Sequence, residues 1–448
     1  MKTKQQRTLS NLRCANQIKF TVFLSILLIF IFSAISCKTQ TDELLEDAVS
    51  ISDVSVDEEG VRAEEEEEEE EQEKDEDISG DEEILVEEIE PPPSKILALS
   101  GEHTCGLNGG EAYCWGYNSD NQSGPDPLNK RSVKVPTTMG SNSVFTAITL
   151  GERHSCALDD DGAAWCWGSN SSATLGNGKS NFSTKSEIPV KVADDHVFID
   201  ISAGKLSNCA IDDTNDIWCW GANYWSLIDR ESSVWAYVPR KLDTTHKFLS
   251  ISLGLDHGCA IATTNLVWCW GNNSQGQLGN NDGRLTTKNA PVRINSNLEF
   301  SKVAVGSYHS CAIDISGDTW CWGKNANGQV GNDSTTNVKS PVKITAANFV
   351  NIIPTNENTV AIDDEGNLWA WGIGSSWVNG STSQFNLPNM ITAFTVQLEH
   401  LYSGPLSKVI CGIDSSEDTY CWGSNNYTQF GNNSTVNSTR PIRVNTPF

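Results

Sequence analysis

What this 448-residue chain has little of narrows its chemistry first. Base is scarce: 31 Lys and Arg stand against 58 Asp and Glu, for a net charge of −27. No basic stripe is present to neutralise phosphates, so nucleic acid is not an expected partner. Catalytic signatures are missing too. There is no Gly-x-Ser-x-Gly elbow, no phosphate loop and no His-Glu-x-x-His. The chain is therefore read as a non-enzyme that needs no cofactor. A full membrane span is lacking as well. The apolar run from Phe20 to Ile35 has sixteen residues, long for a signal core and short for a bilayer crossing.

The charge that is present is unevenly placed. Residues 1–37 carry five bases and no acid, residues 38–93 carry 26 acids and three bases, and residues 94–448 carry 32 acids and 23 bases. Lys2, Lys4, Arg7, Arg13 and Lys19 lead into the apolar run, which ends in Ser33-Ala34-Ile35-Ser36-Cys37. That ending resembles the lipobox of bacterial lipoproteins, with Ala34 where Leu is commonest. The resemblance implies a signal peptide over residues 1–36 and acylation of Cys37. Several acyl chains on one residue would hold the protein at a membrane. Residues 37–93 then read as a linker. Glu64 to Glu71 are eight consecutive glutamates, and such a segment cannot bury enough apolar surface to order itself. As a coil it would reach about 40 Å.

From residue 94 onward one stretch recurs seven times. Six copies carry two cysteines, as in "CAIDISGDTWCWG" from Cys311; the seventh, "VAIDDEGNLWAWG", has Val360 and Ala370 in their places. The Trp of each Trp-Gly falls at 115, 167, 220, 270, 322, 371 and 422. A period near 50 points to a propeller or a solenoid. Within each stretch apolar residues alternate around a turn signal, which predicts a β-hairpin. Pairing the two cysteines leaves a three-residue tip. Its third position, which wants a left-handed backbone, holds Gly162, Asn215, Asn265, Gly317 and Gly366, with Glu417 as the exception. The first copy is one residue shorter and centres on Gly109-Gly110, a favoured two-residue turn.

Opposed residues of an antiparallel pair lie within disulfide reach. Six intra-hairpin bonds are predicted: Cys105–Cys114, Cys156–Cys166, Cys209–Cys219, Cys259–Cys269, Cys311–Cys321 and Cys411–Cys421. Loss of one partner would strand a thiol, which explains why Val360 and Ala370 replaced a pair together. A zinc reading of His103, His154, His257 and His309 fails on spacing, and "DDDG" and "DDEG" read as hairpin tips rather than calcium loops. No metal is expected.

Seven prolines, from Pro136 to Pro441, stand before the next turn glycine at near-constant spacing, and the interrupted interval is completed by joining the two ends of residues 94–448. This predicts a closed all-β ring: a seven-bladed β-propeller whose N- and C-terminal segments share one blade. Closure of this kind leaves only short sheet edges. The stretch "GSYHSCAIDISGDTWCWGKNANGQVGN" resembles the repeat of the regulator of chromosome condensation family. The resemblance covers residues 94–448 and implies a seven-bladed propeller with split-blade closure. It does not imply one function, since members include a guanine-nucleotide exchange factor, signalling domains and a secreted bacterial β-lactamase inhibitor. No insertion comparable to the exchange wedge is present, so exchange activity is not carried over.

Twelve of the 15 Trp occupy repeating hairpin positions and read as core between blades. Trp225, Trp235 and Trp377 do not. They belong to copies in which the Gly-Gln-Leu-Gly-like loop is replaced, and Tyr224 and Tyr237 are close by. Loops on rigid scaffolds carry binding residues, and exposed Trp and Tyr mark hot spots. These five residues are the candidate contact site. The expectation is a monomeric, lipid-anchored scaffold in a bacterial cell envelope, at the outer membrane or cell surface, binding an unidentified protein. A carbohydrate ligand for the same tryptophans is the second reading.

Overall fold

The computed structural model describes residues 95–444 apart from 126–130, 181–183, 230–233, 374–382, 393 and 395. The leader, Cys37, the acidic linker and Trp377 lie outside the described residues. Every regular element described is a strand, and the strands form seven four-stranded antiparallel sheets. In the first, Lys95–Leu99, His103–Asn108, Glu111–Tyr117 and Ser132–Thr138 pair in chain order from the innermost strand to the outermost. The remaining blades span 145–191, 198–241, 248–293, 300–344, 349–390 and 400–444. The chain is a seven-bladed β-propeller.

The two middle strands of each blade form the hairpin legible in the sequence. Cys156 faces Cys166, Cys209 faces Cys219, Cys259 faces Cys269, Cys311 faces Cys321 and Cys411 faces Cys421, while Cys105 faces Cys114 across the shorter turn. All six pairs are bonded, with Cα atoms 4.1 Å apart in each. The sulfurs are buried at the heart of the blades. Gly109 and Gly110 both have positive φ, as their turn requires, and every third tip residue is left-handed, Glu417 included at +59°. An Asp locks most tips. In blade 5 the Asp314 Oδ1 accepts the Asp318 N–H at 2.9 Å and its Oδ2 accepts the Trp320 indole N–H at 2.9 Å. Asp159, Asp212 and Asp363 hold Trp165, Trp218 and Trp369 in the same way. The acidic tips are thus structural.

The shared blade expected from the spacing is not formed. Residues 95–138 supply all four strands of blade 1, and residues 400–444 supply all four of blade 7. The constant interval spans the end of one outermost strand, a crossover and the next innermost strand. The ends of the repeat region fall within such a crossover, so no strand is divided. Closure comes from side chains instead. Leu97, Leu99, Trp115 and Val133 share one core cluster with Val409, Cys411, Phe430 and Val444. Pro341 lies inside the outermost strand Val338–Ile344, where the register shifts against Cys321 and Gly323; an edge strand at a bulge tolerates the missing donor.

The innermost strands ring an axial cavity of about 320 Å³ to which all seven blades contribute. Blades approach closely there. A Cβ on Gly306 would lie 2.5 Å from the Thr355 carbonyl oxygen, and one on Gly404 would lie 2.0 Å from that of Leu99. These glycines serve inter-blade contact as well as the turn. Several inward edge N–H groups are capped by the preceding blade: Leu253 N–H donates to Ser202 Oγ at 2.9 Å and Val305 N–H to Ser252 Oγ at 3.1 Å. Unpaired strand edges are thereby blunted.

Candidate functional site

Antiparallel order places the turn between the first and second strands of every blade at the same end as the long loop between the third and fourth. This end is the loop face. Its loops are primarily a clamp between blades. In blade 4 the carbonyl of Gln277 accepts the Trp322 indole N–H at 2.9 Å and the Ser310 hydroxyl at 3.2 Å, both from blade 5. Gln122 does the same for Trp167 and Ser155, and Gln429 for Trp115 and Thr104 across the closing seam. A residue of positive φ precedes the one that supplies the accepting carbonyl in each case: Gly276, Asn121 and Thr428. Buried histidines add a second layer of ties. His103, His154, His257 and His309 place Nε2 within 2.8–2.9 Å of Ser155, Asn208, Ser310 and Thr359 of the following blade. Burial pushes the imidazoles of His103, His257 and His309 down to about 3 and that of His154 to about 4. They are neutral structural donors and acceptors.

Blade 3 keeps this clamp with altered residues. Leu227 replaces the glutamine, and its carbonyl accepts the Trp270 indole N–H at 2.9 Å. Ser226 takes the left-handed position at φ +55°. Asn223 Oδ1 accepts the Ile228 N–H at 3.0 Å, as Asn273 Oδ1 accepts the Leu278 N–H in blade 4. Leu227 and Ile228 are buried. The clamp bonds therefore leave Tyr224 and Trp225 out, and these two are 59 % and 41 % exposed. Equivalent positions hold Ser119-Asp120, Ser171-Ser172, Ser274-Gln275, Ala326-Asn327 and Asn426-Tyr427 in other blades, with Ser172 buried.

The five aromatics singled out in the sequence do not all meet. Tyr224 and Trp225 share the loop. Trp235 and Tyr237 lie in the outermost strand Trp235–Lys241, Trp235 opposite Ala222, and both are half-buried. The Gly178 N–H of blade 2 donates to the Tyr237 carbonyl at 2.9 Å, so this strand edge is engaged with a neighbouring blade.

The structure adds residues that the sequence reading missed. Asp256, in the first turn of blade 4, has Asn272 and Trp225 of blade 3 as polar neighbours that favour its ionised form. Burial raises its carboxyl above the usual range, against the lowering effects of Asn272, Lys205 and Trp225. Tyr308, at the matching turn of blade 5, is raised by burial and by the Asp256 charge. The Lys324 ammonium lies 5.3 Å from the centre of the Tyr308 ring. Both new residues stand between the turn glycine and the turn histidine, in "GLDHG" and "GSYHS". Those stretches read as landmarks in one dimension, and only the face they share with the long loops makes them surface candidates.

A seven-bladed wheel with a buried Trp-Gly indole at each seam, hydrogen-bonded across five of them, is the architecture of one protein class. Residues 111–448 match the RCC1-like domain, and the chain belongs to that family. Human WBSCR16 superposes with a TM-score of 0.66 at 17% identity, covering 75% of this chain and 94% of that one. Prp20p of Saccharomyces cerevisiae, a protein with binding properties toward Gsp1p and histones, gives 0.65 at 20% identity over 78% and 87%. These are likenesses of fold. The mitochondrial RCC1 domain-containing protein RUG3 of Arabidopsis thaliana is 26% identical over 56% of this chain and 47% of its own length. The Ultraviolet-B receptor UVR8 of the same plant is 28% identical over 28% and 29%. The chain thus spans less than half the length of these two relatives.

Proposed function

We propose that this propeller is a non-catalytic protein-binding scaffold whose contact surface is the loop face around Tyr224 and Trp225. One observation carries the reading. Blade 3 preserves the indole bond of the inter-blade clamp and the Asn-anchored loop through Asn223, Ser226 and Leu227 while presenting two large aromatics outward. Solvating an indole and a phenol on a rigid loop costs solubility without adding to the fold, whereas aromatic anchors of this kind dominate binding energy at interfaces. The family supports the reading, because Prp20p binds other proteins.

The remainder of the proposal concerns placement. Residues 1–36 direct export, Cys37 carries the lipid, residues 37–93 form the tether, and residues 94–448 are displayed as a monomer at the outer membrane or cell surface of a bacterium. Oxidised cysteines suit such a compartment. Capture from envelope extracts by the full chain, compared with Tyr224→Ala/Trp225→Ala, tests the surface. Partners retained by the wild type and lost from the double variant are expected. Identical capture by both overturns the assignment. Replacing Cys37 by Ser should abolish palmitate incorporation and membrane association; membrane retention of that variant would refute the anchor.

A further inference from the structure

The axial cavity of about 320 Å³ is lined by all seven blades, and no residue of its lining is ionisable. Its two sides differ. In the register opposite the first cystine position, blades 2, 3 and 4 present Thr149, Ser202 and Ser252. In the same register blades 5, 6 and 1 present Ala304, Ile353 and Ala98. All six line the cavity. We infer that it is a second binding site, for a small neutral molecule that joins an apolar body to a hydrogen-bond acceptor such as a ketone or amide carbonyl. This site is separate from the aromatic loop and does not rest on it.

The backbone donors around the axis lead there. Each innermost strand turns an unpaired edge inward, and its buried N–H groups need partners. The preceding blade supplies them in three cases. Thr149 Oγ1 accepts the Ala203 N–H at 2.9 Å, Ser202 Oγ that of Leu253 at 2.9 Å and Ser252 Oγ that of Val305 at 3.1 Å. Blade 6 has Pro354 at this position, which has no N–H, and Ala304 in the capping register brings no hydroxyl. Blade 2 breaks the pattern. Leu150 has an N–H and is 5 % exposed, yet the capping register of blade 1 holds Ala98. Among the described residues no side chain caps it. The row below repeats the contrast: Asp200 Oδ2 accepts the Ile251 N–H at 2.9 Å, whereas Ile148 has Ile96 in the capping register. Leu150 and Ile148 both line the cavity.

The lining selects the guest. The Leu150 N–H and three hydroxyls, each keeping a proton to give, are donors on one side. Ala304, Ile353 and Pro354 are apolar on the other. The Asn351 amide is already given to the Leu401 carbonyl at 3.3 Å. One acceptor on an apolar body satisfies both sides. A charged guest would be buried without an ionisable partner, which is costly. A sugar would turn hydroxyls toward the apolar side, at a similar penalty. The volume lies within the range of small-molecule sites.

The test uses the full chain labelled with nitrogen-15 leucine, the Leu150 amide signal being identified by its absence from Leu150→Met. Four probes of one ring size are titrated: cyclohexanone, methylcyclohexane, cyclohexylammonium and cyclohexanecarboxylate. Cyclohexanone should move the Leu150 amide with a dissociation constant about tenfold lower than methylcyclohexane, the worth of one hydrogen bond, and the two ions should bind more weakly still. Ala98→Ser supplies the missing cap, as Thr149 does for Ala203. It should erase the preference for the ketone, keep methylcyclohexane binding and leave the melting temperature equal or higher. Tyr224→Ala/Trp225→Ala should change none of this. A ketone preference that survives Ala98→Ser, or tighter binding of either ion, would overturn the neutral-acceptor assignment. A Leu150 amide moved by no probe would leave solvent as its partner and overturn the site.

Discussion

Blades 5 and 6 are neighbours that build one hairpin from different chemistry. In blade 5 Cys311 faces Cys321; in blade 6 Val360 faces Ala370, at the same register position. Both tips turn on a left-handed glycine, Gly317 at +86° and Gly366 at +79°. Both anchor an indole on an Asp, Trp320 on Asp314 at 2.9 Å and Trp369 on Asp363 at 2.8 Å. Val360 and Ala370 are buried as completely as the cystine next door. The comparison teaches that the sulfur bond does not set the register. The turn, the Asp anchor and packing set it, and the disulfide staples a hairpin already specified.

The largest expected effect is on what the two blades share. Trp322→Ala and Trp371→Ala each remove a fully buried indole from a seam, and each should cost about 3–5 kcal/mol. Thermal melts should fall alike, but limited proteolysis should enter blade 6 first, where no staple holds the hairpin. Equal cleavage of the two blades would show that the cystine adds no local protection. Making blade 5 like blade 6, with Cys311→Val and Cys321→Ala, should lower stability by about 2–3 kcal/mol without moving the strands. Val360→Cys with Ala370→Cys should do the reverse, read by melting with and without reductant. A changed register in the first variant would contradict the account above.

A smaller difference lies in acid. His309 of blade 5 has Asn358 as its counterpart in blade 6. Burial keeps His309 neutral to about pH 3 in the fold, whereas an unfolded histidine titrates near 6.5. Below about pH 6.5 the unfolded chain takes up protons that the fold refuses. Stability contributed by the neutral ring is therefore complete above that pH and declines as pH falls toward 3. His309→Asn should remove about 1 kcal/mol of the loss measured per pH unit in this window. A slope unchanged by the substitution would place the titration elsewhere. Glu417 extends the comparison to blade 7, where a charged residue takes the left-handed position that Gly317 and Gly366 fill. Glu417→Gly should raise stability by up to about 1 kcal/mol in denaturant titrations. Tyr224→Ala should be the weakest, within about 0.5 kcal/mol, because its side chain is outside the clamp.

Much of one blade could be read along the chain. The cysteine spacing, the tip residues and the alternation of Trp165 and Trp167 with Cys166 each rest on contacts within about a dozen residues. Glu417 shows how firm that frame is, since the tip keeps its geometry even with an unfavourable residue. The proposed contact surface was half legible. Tyr224 and Trp225 stood out because they break the loop pattern, and their exposure follows. Trp235 and Tyr237 broke it equally and are engaged with blade 2 through an outermost strand, which no local signal distinguishes. Asp256 and Tyr308 kept to the pattern and so were passed over.

By itself the sequence determined the number of blades, the register of each hairpin and the pairing of each cystine, because these depend on backbone turns and nearest partners along the chain. The tertiary structure alone decided how the wheel closes and what meets on its loop face. Closure between blades 7 and 1 uses packed side chains rather than a divided sheet, and spacing is the same for both arrangements. Gln277 meets Trp322 and Ser310 of the next repeat, and it is the packing of blades around the axis that brings them together.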